Sequence, residues 1–184
     1  MYTVSDHDLF GQRGLDLATD MLSGDMALTA YTYGWWYNDE AGQTAAGRTS
    51  YVWSFYYGML RNINKVINTV NQQSDIINRI AANGLPNVYN EKAETYYTID
   101  GTDTLATYTL QEAEIAGYYA QALTMRGYCY SNLIKLYAPT NSQLRGAWED
   151  EVVCPVYNEN NLEDAQPVAT LKVAYGQVES DLTL

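Results

Sequence analysis

The chain has 184 residues and a formal charge of −12, from 22 acids against 10 Lys and Arg. Nucleic-acid binding needs clustered cations to neutralise phosphates, and these ten are scattered, so nucleic acid is excluded as a partner and an anionic lipid surface is disfavoured. The length fits about one domain with a real core, and the outlier in composition is tyrosine, 18 against 2 Phe, which keeps hydroxyls on the aromatic surface and suits polar ligands.

In chain order, Ser5-Asp-His-Asp8 has the form of a capping box, a hydroxyl followed three residues on by an acid. Leu9, Leu15, Leu17 and Met21-Leu22 follow at roughly helical spacing, which predicts a helix from about Asp6 to Ser23. Residues 24–48 show no sustained period and are expected to form a long ordered loop. It contains "YTYGWWYNDE", with five aromatic rings in the seven residues from Tyr31 to Tyr37.

A second helix is expected to be capped by Thr49 or Ser50. Trp53, Tyr56, Leu60, Ile63, Ile67 and Val70 recur at three- and four-residue steps, with Asn62, Lys65 and Asn68 on the other face. The pattern extends through Ile76, Ile77 and Ile80 to a stop at Asn83-Gly84. Pro86, "YYTID", Gly101 and "TLATY" mark residues 84–108 as a turn-rich insertion with room for a short hairpin.

Thr109-Leu-Gln-Glu112 is a second capping box. It opens a helix that runs to about Tyr137 and ends at Ala138-Pro139. This helix is apolar on nearly every side, so neighbours should bury it on several faces, with Gly117, Ala120 and Gly127 admitting close approach. Arg126 lies in its middle and needs a buried carboxylate or carbonyl partner. Residues 138–168 read as a loop with three prolines. Thr170 is expected to cap a last helix with a stripe of Leu171, Ala174-Tyr175, Val178 and Leu182. Together these elements predict an all-α fold over residues 1–184. It would be a single helical domain of irregular, tetratricopeptide-like antiparallel pairs with long inserted loops, although no exact 34-residue repeat is visible.

Three segments resemble one family. "SYVWSFYYGMLRNINKVINTV" resembles its helix with a Trp, a Tyr three on and an Ile-Asn-rich stretch. "YYAQALTMRGYCYSNLIKLYAP" resembles its Ala-x-x-x-Arg-small-Tyr-x-Tyr-x-x-Leu helix. "VVCPVYNE" followed by "VATLKVAYGQVESDL" resembles its Val-Pro-Leu loop and Thr-x-x-x-x-Tyr-x-x-Ile-x-x-Asp-Leu helix. In this order they are the pattern of the SusD/RagB nutrient-binding outer-membrane lipoproteins. The resemblance implies a tetratricopeptide-like scaffold at the bacterial cell surface, lying as a lid on a SusC-type TonB-dependent transporter. It implies oligosaccharide or polysaccharide binding without chemistry. Family members are longer and begin with a lipidated Cys that this chain lacks, so the chain is expected to be a portion of a longer protein, attached to the membrane only through that anchor.

The candidate ligand-binding residues are Trp35, Trp36, Tyr37 and Asn38. Aromatic faces cover the C–H faces of sugars, and amides or carboxylates bond their hydroxyls. The bland alternative is that the two Trp fill the gap under a loop; adjacent residues in extended chain point opposite ways, so one ring is expected inside and its neighbour outside. Trp53 is expected in the core, and Asn38 and Asp39 are as suited to capping the loop.

No catalytic residues are predicted. Asp39-Glu40 do not form a pair flanking a cleft, and the single histidine, His7, offers no conventional triad. No cofactor or metal is implied: there is no CxxC or HExxH, "DGTD" at Asp100–Asp103 reads as a turn, and the acidic run Asn158–Asp164 reads as a solvated loop. Cys129 and Cys154 could pair in an oxidising compartment, but Cys129, within an apolar helix, is expected to be a buried free thiol. Two rival readings remain: an adaptor that binds a protein segment in a helical groove, and a scaffold portion whose ligand site lies elsewhere.

Overall fold

A computed structural model describes residues 47–139 and 147–183, with side chains from residue 52 onward. The helix expected over residues 6–23, His7 and residues 24–46 of the expected loop lie outside the described residues, and the last two residues of that loop, Gly47 and Arg48, are helical. Ser54–Leu184 belongs to one compact unit.

Four α-helices and two antiparallel sheets make up the described fold: α1 (Gly47–Asn71), α2 (Ser74–Asn83), β1 (Val88–Asn90), β2 (Thr95–Asp100), β3 (Asp103–Thr109), α3 (Leu110–Tyr137), β4 (Val152–Pro155), β5 (Val168–Thr170) and α4 (Leu171–Leu182). The all-α expectation is therefore wrong. Over these residues the protein is mixed, 58% helix and 18% strand. Nor do the helices follow one another as simple pairs, because one sheet intervenes between α2 and α3 and another between α3 and α4.

Helix α1 buries the expected stripe. Tyr56, Leu60, Ile67 and Val70 are buried, Trp53 and Ile63 are half-buried, and Asn62, Lys65 and Asn68 are exposed. It is already helical at Gly47, so Thr49 and Ser50 lie within it rather than at its cap. It does not run on to Gly84. Gln72 and Gln73 donate to the Thr69 and Val70 carbonyls in a tight last turn, and Gln73 O then accepts from Ile76 and Ile77 to start α2. At the end of α2, Gly84 has φ +83° and ψ 176°, a conformation open essentially only to glycine. Its carbonyl accepts from the hydroxyls of Thr98 and Tyr108, tying α2 to the sheet.

The insertion is a full three-stranded antiparallel meander, β1-β2-β3. Its strands are rich in Tyr, Thr and other residues that suit a half-buried pleat. The β2–β3 hairpin closes through Gly101-Thr102, with Asp100 opposite Asp103 and positive φ only at Gly101, as a Gly-first two-residue turn requires. "DGTD" is thus a hairpin turn. The Asn87 side chain acts as an extra strand residue: its amide donates to Ile99 O and its oxygen accepts from Ile99 N, beside the register shift at Thr98/Ile99. These pairings bury Thr98 and Tyr108 and pack Tyr96 and Ala106 against Ile76, Ile80 and Ala116 of α2 and α3.

Helix α3 is the centre of the core. Its capping box is formed: Thr109 Oγ1 accepts from Glu112 N, and Glu112 Oε2 accepts from Thr109 N at 2.8 Å. Arg79 reinforces that corner. It pairs with Glu112, donates to Thr107 O at 2.9 Å and lies over the Tyr108 ring. Arg79 and the capping amide hold the Glu112 carboxyl below the usual carboxylate range. Farther along, Ala122 and Leu123 meet Ile67 of α1. The second half of α3 packs on α4 and β4.

The segment after α3 is not all loop. A 3-10 turn (Trp148–Asp150) and the β4–β5 ladder cross it. A register irregularity between Val152 and Cys154 lets the successive residues Val153 and Cys154 both turn inward. Thr170 caps α4 as expected, and Leu171 and Ala174 are buried. Tyr175 and Leu182, both expected in the stripe, are instead exposed, with the Tyr175 ring edge-on to Trp148.

Candidate functional site

Two polar constellations stand out among the described residues. The first surrounds Arg126, which is 4% exposed. Its Nε and Nη2 donate to Asp181 Oδ2 and Oδ1 at 2.8 and 2.6 Å, a bidentate pair. Its Nη1 donates to Asn64 Oδ1 at 2.8 Å and to Glu159 Oε2 at 2.5 Å. Burial opposes the charged form, but the hydrogen bonds of Asp181 and Glu159 outweigh it and hold the guanidinium more firmly protonated than usual.

The network extends outward from there. Gln177 donates to Asp181, and Asn64 Nδ2 donates to Tyr157 O at 3.1 Å. The Tyr130 hydroxyl clasps one residue's backbone from both sides, donating to Tyr157 O and accepting from Tyr157 N, each at 2.7 Å. Tyr57 donates to Pro155 O, and its ring meets Tyr157 edge-on. Gly127 makes room for α4: a Cβ there would lie 3.3 Å from Leu182. The expected carboxylate partner of Arg126 is Asp181. The buried Asn64 was not foreseen, although it falls on the apolar stripe of α1, four residues after Leu60. Both Asp181 oxygens, the Asn64 side-chain oxygen and Glu159 Oε2 each accept a hydrogen bond from Arg126.

The second constellation lies where the meander meets the start of α3. Tyr89, Tyr96 and Tyr108 stand opposite one another across β1, β2 and β3, from exposed through half-buried to fully buried. The Tyr89 and Tyr96 rings are 4.8 Å apart at 40°. Beside Tyr96 is a cleft of about 410 Å³ lined by Leu85, Pro86, Leu110, Ala113, Glu114, Gly117 and Ala120. Glu114 Oε1 accepts from the Tyr118 hydroxyl at 2.7 Å. Among the described residues its Oε2 accepts no hydrogen bond, and neither do the Tyr89 and Tyr96 hydroxyls take part in one. Gly117 was expected to seat a neighbouring helix, but a Cβ there would meet nothing within 4 Å.

On the other side of Tyr118, an apolar groove of about 660 Å³ runs between α1 and α3, lined by Ile63, Val66, Ala122 and Met125 among others. The predicted ligand residues Trp35, Trp36, Tyr37 and Asn38 lie outside the described residues, as do Asp39 and Glu40.

Cys129 and Cys154 are buried and free, and burial pushes each thiol up to about 11. The Asn158–Asp164 loop is held by side-chain amides: Asn161 Oδ1 accepts from Asn158 N, Asn161 Nδ2 donates to Val156 O and Gln166 Nε2 donates to Asp164 O. No cluster of His, Cys, Asp or Glu able to hold a metal occurs among the described residues. No described helix is long and apolar enough to cross a membrane. No protein-family model, curated protein or solved structure matches the chain.

Proposed function

We propose that the chain is part of a surface glycan-binding protein of the SusD/RagB type, which captures oligosaccharide for a TonB-dependent transporter and does no chemistry. One observation carries this reading. The segments that resemble the family each send a polar group to one junction: Asn64 from α1, Arg126 and Tyr130 from α3, Tyr157 and Glu159 from the loop, and Asp181 from α4. A buried guanidinium that needs all these partners gives a physical reason for the motifs to occur together.

The test is titration of the purified chain against a panel of polysaccharides, with Trp35→Ala, Trp36→Ala, Tyr37→Ala and Asn38→Ala measured beside it. A ring that stacks on sugar should cost roughly 1–3 kcal/mol of affinity when truncated, about tenfold or more. A ring that is core would instead cost roughly 3–5 kcal/mol of stability. Failure of every glycan to bind, or release of reducing sugar that one carboxylate variant abolishes, sinks the proposal.

The α1/α3 groove favours a second reading, an adaptor holding an apolar peptide segment of a partner. Its lining of Val66, Tyr118 and Met125 is substantially exposed. Apolar-peptide binding that a Val66→Lys/Met125→Lys variant retains would count against that groove as the peptide site.

A further inference from the structure

We propose that the cleft between the meander and the first turns of α3 is a subsite for a neutral oligosaccharide, with Tyr96 as its aromatic wall and Glu114 as its hydroxyl acceptor. The inference rests on the glycan-binding reading above and adds to it a place and a class of sugar.

The cleft has the ingredients that such a ligand needs. Its volume, about 410 Å³, falls in the range of small-molecule sites. Leu85, Pro86, Leu110 and Ala113 offer an apolar floor. Tyr96 offers a half-buried ring whose position is set by strand pairing, with Tyr89 packed beside it at the open edge. The Tyr96 hydroxyl is uncommitted among the described residues, so the ring can give both an apolar face and a polar tip.

Glu114 supplies direction. The bond from Tyr118 fixes one carboxylate oxygen and leaves the other to accept from a ligand hydroxyl. A hydrogen bond to a charged acceptor is among the stronger kinds. No lining residue is cationic, and the chain carries a net charge of −12. A uronate or sulfated sugar would bring a second negative charge to an unneutralised carboxylate, so the ligand is neutral.

Gly117 makes the idea testable without touching the core. A side chain there would enter open space, and a glycine inside a helix is a poor helix former, so Gly117→Leu should fill the cleft and leave the fold at least as stable. The probes are neutral hexaoses of glucose (α- and β-linked), xylose and mannose, with hexagalacturonate as the anionic comparison. Calorimetric titration of the wild-type chain, Gly117→Leu and Glu114→Ala should show binding of at least one neutral hexaose by the wild type. Gly117→Leu and Glu114→Ala should each weaken it tenfold or more, and the melting temperature of Gly117→Leu should equal or exceed that of the wild type. Neutral-sugar binding that both variants retain overturns the cleft and leaves the glycan reading standing. No binding of any neutral hexaose by the wild type overturns the neutral-sugar cleft, and no binding of hexagalacturonate either overturns the glycan reading with it. Preference for hexagalacturonate overturns the neutral ligand, and a lowered melting temperature of Gly117→Leu overturns the open space on which the cleft depends.

Discussion

Replacing Arg126 with methionine should destabilise the protein by roughly 3–5 kcal/mol, the range for removing one partner of a buried ion pair. The consequences differ between its partners. Glu159 keeps 20% of its side chain exposed and can turn toward water, whereas the Asp181 side chain keeps 1%. Asp181 would retain only the Gln177 donor among those described, so an almost uncompensated carboxylate would stay inside. Asn64 would lose the donor to its side-chain oxygen as well. For a chain of this length the loss corresponds to roughly 6–20 °C in melting temperature. Denaturant unfolding and calorimetry of the Met variant measure it directly.

Two companion variants separate charge from packing. Arg126→Lys keeps the charge but cannot form the bidentate fork, so it should fall between wild type and Met. Arg126→Met/Asp181→Leu removes both buried charges and should recover much of the stability, since a well-packed apolar pair can match a buried ion pair. A loss below about 1 kcal/mol for Arg126→Met, or a double variant that is the sum of the two singles, would refute the reasoning that Asp181 is stranded.

The Glu112 carboxyl sits below its ordinary range, so its contribution should be present above the unfolded-state value near 4.3 and fade as the pH falls through the lower folded value. Glu112→Ala should therefore cost about 1–2 kcal/mol at pH 7, and the gap to wild type should narrow in acid; a gap that stays constant down to pH 3 contradicts this. Cys129 and Cys154, buried and pushed up to about 11, should resist a thiol reagent at pH 7.5 in the folded protein and both react in denaturant; prompt labelling of either in the native state would show that it is exposed. Gly84→Ala should cost about 1–3 kcal/mol through backbone strain, since a Cβ there would make only ordinary contact with Thr98, and an unchanged denaturation midpoint would refute the assigned backbone conformation.

What could be read along the chain was what neighbours three and four residues apart decide. The α1 stripe, the Thr109–Glu112 capping box, the end of α3 at Ala138 and the Thr170 cap all depend on such local geometry, and each is found in the structure or within a few residues of its expected place. The need of Arg126 for an anion was equally legible, because an unpaired charge on an apolar helix is untenable. A further signal was available: Asp181 follows Leu171, Ala174 and Val178 on one helical stripe and so had to face inward.

Pairings across the chain were not legible in that way. The all-α reading failed because β2 and β3 carry no strict inward-outward alternation to mark them and are completed from outside themselves, by Asn87 across from Ile99 and by the seat of Tyr108 under Arg79. The break at Gln72-Gln73 carries no glycine or proline to announce it. Which carboxylate meets Arg126 depends on a separation of 55 residues, and that Gly117 opens a cleft while Gly127 closes on α4 depends on what folds back over each. Periodicity says which side of an element turns inward; which distant segment then covers that side, or leaves it open, is set by the competition of all the elements for one core.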